Sequence, residues 1–538
     1  MNNNRRTSIR VPVLTADEAV RLIPDEAVVY LDGTSTGIRE PSTLFGALAK
    51  RYQETEAPKD LTLFFPNGVG DRNPQSDRGF SVLALNGLVK RVVGGHIGQS
   101  PKIAAMIDNN QVEAYNLSMG VMSQMMRAAA AGTPGVISRV GLHTFQDPRQ
   151  LGGKLNQKTT EDIVSVMEID GEEFLFYKTI QPTAALLRGT TADEEGYITM
   201  EDEVGASFLD ELAVAQAVHN NGGKVIVQVQ RITKSGTLNP KHVKIPGIYV
   251  DAVVIEPNQW QSYSLEGKPT DRHASCDYPT IPANMLQLQL PLNERKAICR
   301  RSLFEITPGM VGNVGVGVQT ALSAVAQEEE ISQYFTLTTE CGTIGGVAGP
   351  PEGSNFGIFR NMRAVIPMPD QFAFYDGGGL DVAFLSFAQL DEAGNVNVHR
   401  LDGKIMGTGG FVNITTSSKK IVFGGTMTSG GLKVEIENGK IHILQEGKHR
   451  KFLKAVDEIT FSAKIAKKQQ KPVLYVTERC VFRLTSEGVE LIEVAPGIDV
   501  ETQILPLMDF MPIISKDLKV MDERIFKDVV MGIKTGFN

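Results

Sequence analysis

One acid leads into the most unusual stretch of the chain. Residues 335–357 read FTLTTECGTIGGVAGPPEGSNFG, a β-rich run that ends in Glu340 and gives way to a loop holding Gly342, Gly345, Gly346, Gly349, Gly353 and Gly357. In α/β proteins a carboxylate at the carboxyl end of a strand sits where these folds place reactive groups. Glycines, having no Cβ, let backbone N–H groups come close to a ligand. Glu340 therefore reads as a nucleophile that forms an acyl or thioester intermediate, or as a general base. The plainer reading is a solvated turn acid beside a structural loop. Cys341 next to it reads as a small buried residue, because no histidine stands near it in sequence to activate a thiol.

Other segments offer weaker chemistry. GNVGVGVQTALSAVAQEE (residues 312–329) reads as a strand, a glycine turn at Gly315 and Gly317, and an amphipathic helix whose N–H groups suit an anion. A dinucleotide fingerprint wants a third glycine where Thr320 stands, so NAD is the minority reading. YDGGGLD (375–381) and KIMGTGGF (404–411) add two glycine clusters, followed by Lys419 and Lys420 as phosphate candidates or plain solvent-facing lysines. In the first half, GGHIGQSPK (94–102) puts His96 and Gln99 in a glycine-bearing loop before a helix. His96 is a possible general acid or base, but a lone loop histidine is more often a packing residue. Met119, Met122, Met125 and Met126 form a stripe read as helix core. His143 has no partner visible in sequence.

The elements that must carry these residues are those of a layered α/β protein. AVVYLDG, LTLFFP, KVIVQVQ, DAVVIEP, FTLTTE, KIVFGGT and PVLYVTE are strand-like and alternate with amphipathic stretches such as PSTLFGALAKRYQE. The 538 residues allow two to four domains. Residues 185–199 (ALLRGTTADEEGYIT) and 383–397 (AFLSFAQLDEAGNVN) match at Ala185/Ala383, Leu187/Leu385, Asp193/Asp391, Glu194/Glu392 and Gly196/Gly394, and a strand follows each at nearly the same offset. This suggests two related halves, with the proline-bearing stretch 262–295 as the break. A net charge of -8 argues against nucleic-acid binding as a main task. Four scattered cysteines without metal spacing argue against a disulfide framework and against a zinc or other metal site. The start shows no apolar signal region and no later stretch reads as a membrane span, so a cytoplasmic, non-membrane protein is expected.

Taken together, GHIGQSP, EAYN followed four residues on by glycine and a helix, TFQDPRQLGGKLN, GNVGVGV, TTE before IGG, DGGGLD, KIMGTGGF and LIEVAPGIDV resemble the single-chain acetate/propionate (short-chain acyl) CoA-transferases of family I. The motifs occur in order from RVPVLTADEAV to MDERIF. The resemblance implies two related open α/β domains of the CoA-transferase type, fused equivalents of separate subunits. The expected divisions are 1–265, a linker at 266–295, and 296–538 carrying the catalytic acid. It implies that Glu340 is the nucleophile, that Gly409 and Gly410 lie beside it, and that Gly315 and Gly317 lie near CoA, with Lys420 a weaker contact. Gln99, Met119 and Gly346 are further candidates for substrate or oxyanion contacts. No permanently bound cofactor is expected, CoA being substrate and covalent intermediate. The partners implied are an acyl-CoA, a short-chain carboxylate and other copies of the chain in a tetramer.

Three departures from the family pattern stand out. Relatives usually read Pro-Gln-Gly where this chain has Ser118-Met119-Gly120, replacing an amide donor by a thioether. Losing one charge-assisted hydrogen bond weakens carboxylate binding by about 1.5–3 kcal/mol, or the pocket is recast for another acyl group. His143 stands where relatives tend to have glycine, and PPEG (350–353) follows the catalytic segment. Two further functions remain open on the sequence: a thioesterase, if water intercepts the intermediate, and an acyl-CoA-binding protein that has lost catalysis.

Overall fold

Parallel strands carry both halves of the chain. A computed structural model describes residues 10–204, 210–263, 272–276, 280–281, 290–348 and 359–537. The residues divide into two compact units, one made of Met1–Ile137, Lys154–Ile163 and Phe176–Tyr278, the other of Ser138–Gly153, Val164–Leu175 and Pro279–Asn538. Where the sequence suggests one cut near 265–296, the units interleave, with two segments from the first half of the chain packing into the second unit.

The first unit is built on β1 (Val28–Leu31), β2 (Leu61–Phe65), β3 (Val89–Gly94), β4 (Glu113–Asn116), β5 (Ala184–Arg188), β6 (Lys224–Val229) and β7 (Ala252–Ile255). They pair in parallel in the order β7-β6-β5-β1-β2-β3-β4, with the short strand Val13–Leu14 outside β7. Every residue of β5 is buried, as expected of a central parallel strand covered on both faces. Helix α1 (Ser42–Thr55) connects β1 to β2, and α2 (Met119–Ala130) follows β4 with Met119, Met122, Met125 and Met126 all buried in the core.

The second unit contains β8 (Val311–Val314), β9 (Thr336–Thr338), β10 (Thr343–Ala348), β11 (Phe359–Val365), β12 (Val382–Ser386), β13 (Ile421–Gly424), β14 (Val473–Val476), β15 (Cys480–Leu484), β16 (Val489–Val494) and β17 (Ile513–Val520). Their order is β11-β10-β9-β8-β12-β13-β14-β15-β16-β17. From β9 through β14 the pairing is parallel, whereas β10 and β11 extend that edge antiparallel. Helices α3 (Leu322–Glu328), α4 (Met368–Asp376) and α5 (Phe411–Ser417) precede β9, β12 and β13 in turn.

The internal repeat is a property of the fold. The run β7-β6-β5-β1-β2 in the first unit has the same strand order as β14-β13-β12-β8-β9 in the second. Ala185 of β5 pairs with Val225 of β6, and its match Ala383 of β12 pairs with Ile421 of β13. The matched aspartates cap the same turn: Asp193 Oδ1 accepts from the Glu195 and Tyr197 N–H groups at 2.9 and 3.1 Å, and Asp391 Oδ1 accepts from the Asn395 N–H at 2.8 Å. Gly196 and Gly394 supply the positive φ, 81° and 95°, that such turns require.

The two units differ at the carboxyl ends of these strands. In the first, Asp32 follows β1 and accepts hydrogen bonds from the Gly33 and Arg188 N–H groups at 2.8 and 2.9 Å and an ion pair from Arg39 at 3.2 Å. Arg39 also pairs with Glu211, and Arg188 with Glu203 at 3.1 Å; all five side chains are essentially inaccessible. In the second unit the residue after β8, in the place of Asp32, is Gly315, and Gly317 follows in the same turn.

Among the described residues no cysteine forms a disulfide, no cluster of side chains suits a metal ion, and no helix is long and apolar enough to cross a membrane. Gly349, Gly353, Gly357, the PPEG segment and most of the 262–295 break lie outside the described residues.

Candidate active site

Glu340 sits at the tip of a tight hairpin. The Thr339 N–H donates to the Thr343 carbonyl and the Gly342 N–H to the Thr339 carbonyl, each at 3.1 Å, so Glu340 and Cys341 form the turn joining β9 to β10. Gly342 takes φ 91°, which closes the turn. The described part of the expected glycine loop is thus mostly a strand: Gly345 and Gly346 lie inside β10 with φ of 71° and 85°, at a register shift against β11. Adjacent glycines with positive φ build a β-bulge, and glycine richness alone does not separate a bulged strand from a loop. Gly346 packs against the β11 backbone, where a Cβ would lie 2.7 Å from the Arg360 carbonyl.

The Glu340 side chain is 9% exposed. Burial pushes its pKa up to about 7, while the Asn313 amide and its own backbone N–H pull it back. Beneath it lies a polar cluster: the Thr338 hydroxyl is 2.8 Å from the Tyr375 hydroxyl and donates to the Gly312 carbonyl at 2.9 Å, and Asn313 Nδ2 donates to Tyr375 Oη at 3.2 Å. Burial and the nearby Glu340 charge hold the Tyr375 phenol well above its ordinary value. The wall on the other side is Gly410, the residue before α5. A Cβ on Gly410 would lie 2.6 Å from Glu340 Cγ and 3.0 Å from the Phe372 ring. Gly409 precedes it with φ 54°.

Gly315 and Gly317 follow β8, the strand next to β9, so their turn stands one strand away from Glu340 along the same sheet edge. Gly317 has φ 110°, and a Cβ there would strike Ser386 Oγ at 2.4 Å. Lys420 stands elsewhere. It precedes β13, at the amino end of that strand, and its ammonium pairs with Glu305, which is also held by Arg301 at 2.8 Å. Lys419 pairs with Asp381 at 2.8 Å.

Gln99 and Met119 belong to the first unit. Gln99 Oε1 accepts from Arg72 Nε at 2.8 Å, which fixes its amide. Met119 opens α2 and is 6% exposed, close to Gly95, where a Cβ would lie 3.1 Å from its Cγ. Burial, aided by the Arg72 charge, pushes His96 down to about 4, so it is neutral at pH 7. His143 adopts φ 57°, the left-handed conformation that favours glycine, and its N–H donates to Asp147 Oδ2 at 2.9 Å. It lines a cavity of about 750 Å³ with Arg149, Thr415, Lys464 and Lys471, near the end of α5 away from Gly410. That cavity contains none of the residues around Glu340.

Sequence reasoning passed over Asn313, Thr338, Phe372 and Tyr375. Asn313 lies within the GNVGVGV motif and Tyr375 opens YDGGGLD, so both were in view, but their meeting depends on the pairing of β8 with β9.

A buried carboxylate of raised pKa, on a rigid turn with glycine backbone against it, is suited to nucleophilic attack on an acyl group. Comparison with known proteins gives the class of enzyme. Residues 13–256 match the coenzyme A transferase family model. The chain is 52% identical over 527 residues to acetate CoA-transferase YdiF of Escherichia coli (strain K12), spanning 98% of this chain and 97% of that protein. It is 42% identical over 530 residues to caffeate CoA-transferase of Acetobacterium woodii, spanning 97% and 98%. The crystal structure of the acyl-CoA transferase YdiF apoenzyme from Escherichia coli O157:H7 matches with a TM-score of 0.91 at 51% identity over 97% of each chain. A thioester complex of YdiF with CoA matches equally well. With near-complete coverage by such relatives, the chain belongs to the family I single-chain CoA-transferases and is an enzyme of that class.

Proposed function

We propose that this enzyme transfers CoA from a short-chain acyl-CoA to a carboxylic acid such as acetate, through covalent intermediates on Glu340. The observation that carries the reading is the setting of Glu340: buried, raised to about 7, and pressed against the Gly410 backbone. The 52% identity to a protein named for acetate supports the acid, and the thioester complex described for YdiF supports CoA as the covalent partner.

In the first step a Glu340 oxygen attacks the thioester carbonyl, the C–S bond breaks, and CoA leaves as thiolate from a mixed anhydride. The thiolate then attacks the glutamyl carbonyl, the acid departs as carboxylate, and a glutamyl-CoA thioester remains. A second acid runs both steps in reverse. One thioester is exchanged for another, so the overall change is close to thermoneutral. Burial strips water from the Glu340 carboxylate, and the Gly410 backbone, which lies against that side chain, offers its N–H to the oxyanion. The Gly315–Gly317 turn lets CoA lie close to the sheet edge.

Isotope exchange tests this scheme. Labelled acetate is expected to enter acetyl-CoA in the absence of any second acid, with parallel double-reciprocal plots when one is added, and Glu340→Ala is expected to abolish the exchange. Net release of acetate and free CoA without exchange would instead show a thioesterase.

A further inference from the structure

Tyr375 is a fully buried phenol in the last turn of α4, one side chain away from the reacting acid. Its hydroxyl meets two residues that are paired across the sheet, Asn313 of β8 and Thr338 of β9. Residues side by side on parallel strands point to the same face, so both reach toward α4.

The direction of each hydrogen bond follows from the protons available. Thr338 Oγ1 gives its one proton to the Gly312 carbonyl at 2.9 Å, so in the 2.8 Å contact with Tyr375 the phenol is the donor. The lone pairs of Tyr375 Oη remain for Asn313 Nδ2, 3.2 Å away. The same nitrogen is 3.4 Å from the Thr338 carbonyl, which can only accept, and this settles which end of the amide is nitrogen. That nitrogen is also the side-chain donor acting on Glu340. Asn313 Oδ1, in contrast, is buried without a hydrogen-bond partner. The amide is therefore held by its nitrogen end, and Tyr375 makes the shorter of its two anchoring bonds. Burial and the Glu340 charge keep the phenol protonated, so it is a neutral anchor at pH 7. A residue that only filled the core would need no hydroxyl, whose burial is costly unless it is bonded. Phe372, on the same helix, supplies the apolar contact with Gly410.

We propose that Tyr375 is a positioning residue for the transfer reaction: its hydroxyl holds the Asn313 amide nitrogen toward Glu340, so that a donor stands ready for the oxyanion formed on the glutamyl carbonyl. The inference rests on the Glu340 reading above. When CoA thiolate attacks the mixed anhydride, sulfur bonds to the glutamyl carbon and the C=O electron pair moves onto oxygen. The pair returns as the bond to the departing carboxylate breaks. A donor already fixed at that oxygen needs no reorganisation during the step. Two acids adjoin the cluster. One is Glu340; the other is Asp376, which follows Tyr375, is raised by burial to about 6, and accepts from Asn413 Nδ2 at 2.9 and 3.0 Å.

A double-mutant cycle with pH profiles tests the assignment. With Tyr375→Phe, kcat is expected to fall about 10- to 100-fold while KM for acetyl-CoA and acetate changes by less than about twofold. The midpoint of the pH profile is expected to rise by about one unit, because the carboxylate loses a fixed donor, and the rise persists in an Asp376→Asn background. Asn313→Ala is expected to lose at least as much activity, and Tyr375→Phe added to it changes little further, since the hydroxyl acts through the amide. Thr338→Val keeps the shape but removes the acceptor of the phenol proton, and is expected to give a smaller fall in kcat with a midpoint shift of the same sign. An unchanged kcat and midpoint, a loss that falls on KM, or losses that multiply independently in the double variant would each overturn the assignment. Should Tyr375→Phe not fold, an unchanged midpoint in Thr338→Val overturns it alone. If Glu340→Ala retains the exchange, it is the Glu340 reading that fails.

Discussion

Glu340 and Gly410 lie side by side in the site, and each answers to a single substitution. Gly410 has φ -84° and ψ 0°, a conformation open to alanine, so Gly410→Ala changes space rather than backbone. The added methyl would sit 2.6 Å from Glu340 Cγ and must displace the carboxylate. Misplacing a nucleophile by about 1 Å costs about 100-fold, so kcat/KM is expected to fall by that order while cooperative unfolding is retained. Glu340 carries a second expectation through its proton. The folded enzyme holds that proton up to about pH 7, whereas the unfolded chain releases it near 4.5, so its contribution to stability falls as pH rises between those values. Glu340→Gln is expected to abolish transfer yet stabilise the fold at pH 8 by up to about 3 kcal/mol, with no difference near pH 4. Denaturant titrations of both proteins at the two pH values check this. In the wild type, activity is expected to rise with pH through about 7, as the carboxylate forms.

At the scale of elements, the hairpin joining β9 to β10 decides where Glu340 points. Gly342 has φ 91°, and a Cβ there would lie 1.8 Å from the Ile366 carbonyl. Gly342→Ala is expected to cost about 1–3 kcal/mol through backbone strain alone, with more from the clash, and to lower activity by turning the Glu340 carboxylate away. Thermal unfolding and kcat measured on the same preparation check both effects. This hairpin also shows how far the sequence could be read. The strand, the acid and the following glycines were legible as a run, because apolar alternation stops at Glu340. The bulge was not, since positive φ at Gly345 and Gly346 serves a loop or a bulged strand equally well. Long-range partners were hidden for a different reason. Lys420 meets Glu305 from 115 positions away and Asn313 meets Tyr375 from 62, pairings fixed by sheet order rather than local pattern.

Over the whole molecule, one strand arrangement is used twice and carries the proposed nucleophile in one copy. Two residues beyond β9 stands Glu340; two residues beyond its counterpart β2 stands buried Asn67. The repeat at 185 and 383 was legible because its Asp and Gly form the same turn in both units. The interleaved unit boundary was not, because residues 138–153 and 164–175 join the second unit through tertiary packing. Where the second unit has glycines, the first closes its sheet edge with Asp32, Arg39, Arg188, Glu203 and Glu211. Removing one partner from such a network leaves buried charge behind. Arg39→Ala is expected to destabilise the protein by about 3–5 kcal/mol, seen as a lowered unfolding temperature in calorimetry. An unchanged unfolding temperature would show the network to be dispensable for the fold.

The central claim is that Glu340 becomes covalently joined to CoA. Incubation with acetyl-CoA and no acceptor, followed by mass spectrometry of the peptide that contains Glu340, tests it most directly. The account predicts a CoA-sized addition on that peptide in the wild type, lost in Glu340→Ala and discharged by added acetate. No adduct in the active wild-type enzyme, or the same adduct in Glu340→Ala, would contradict it.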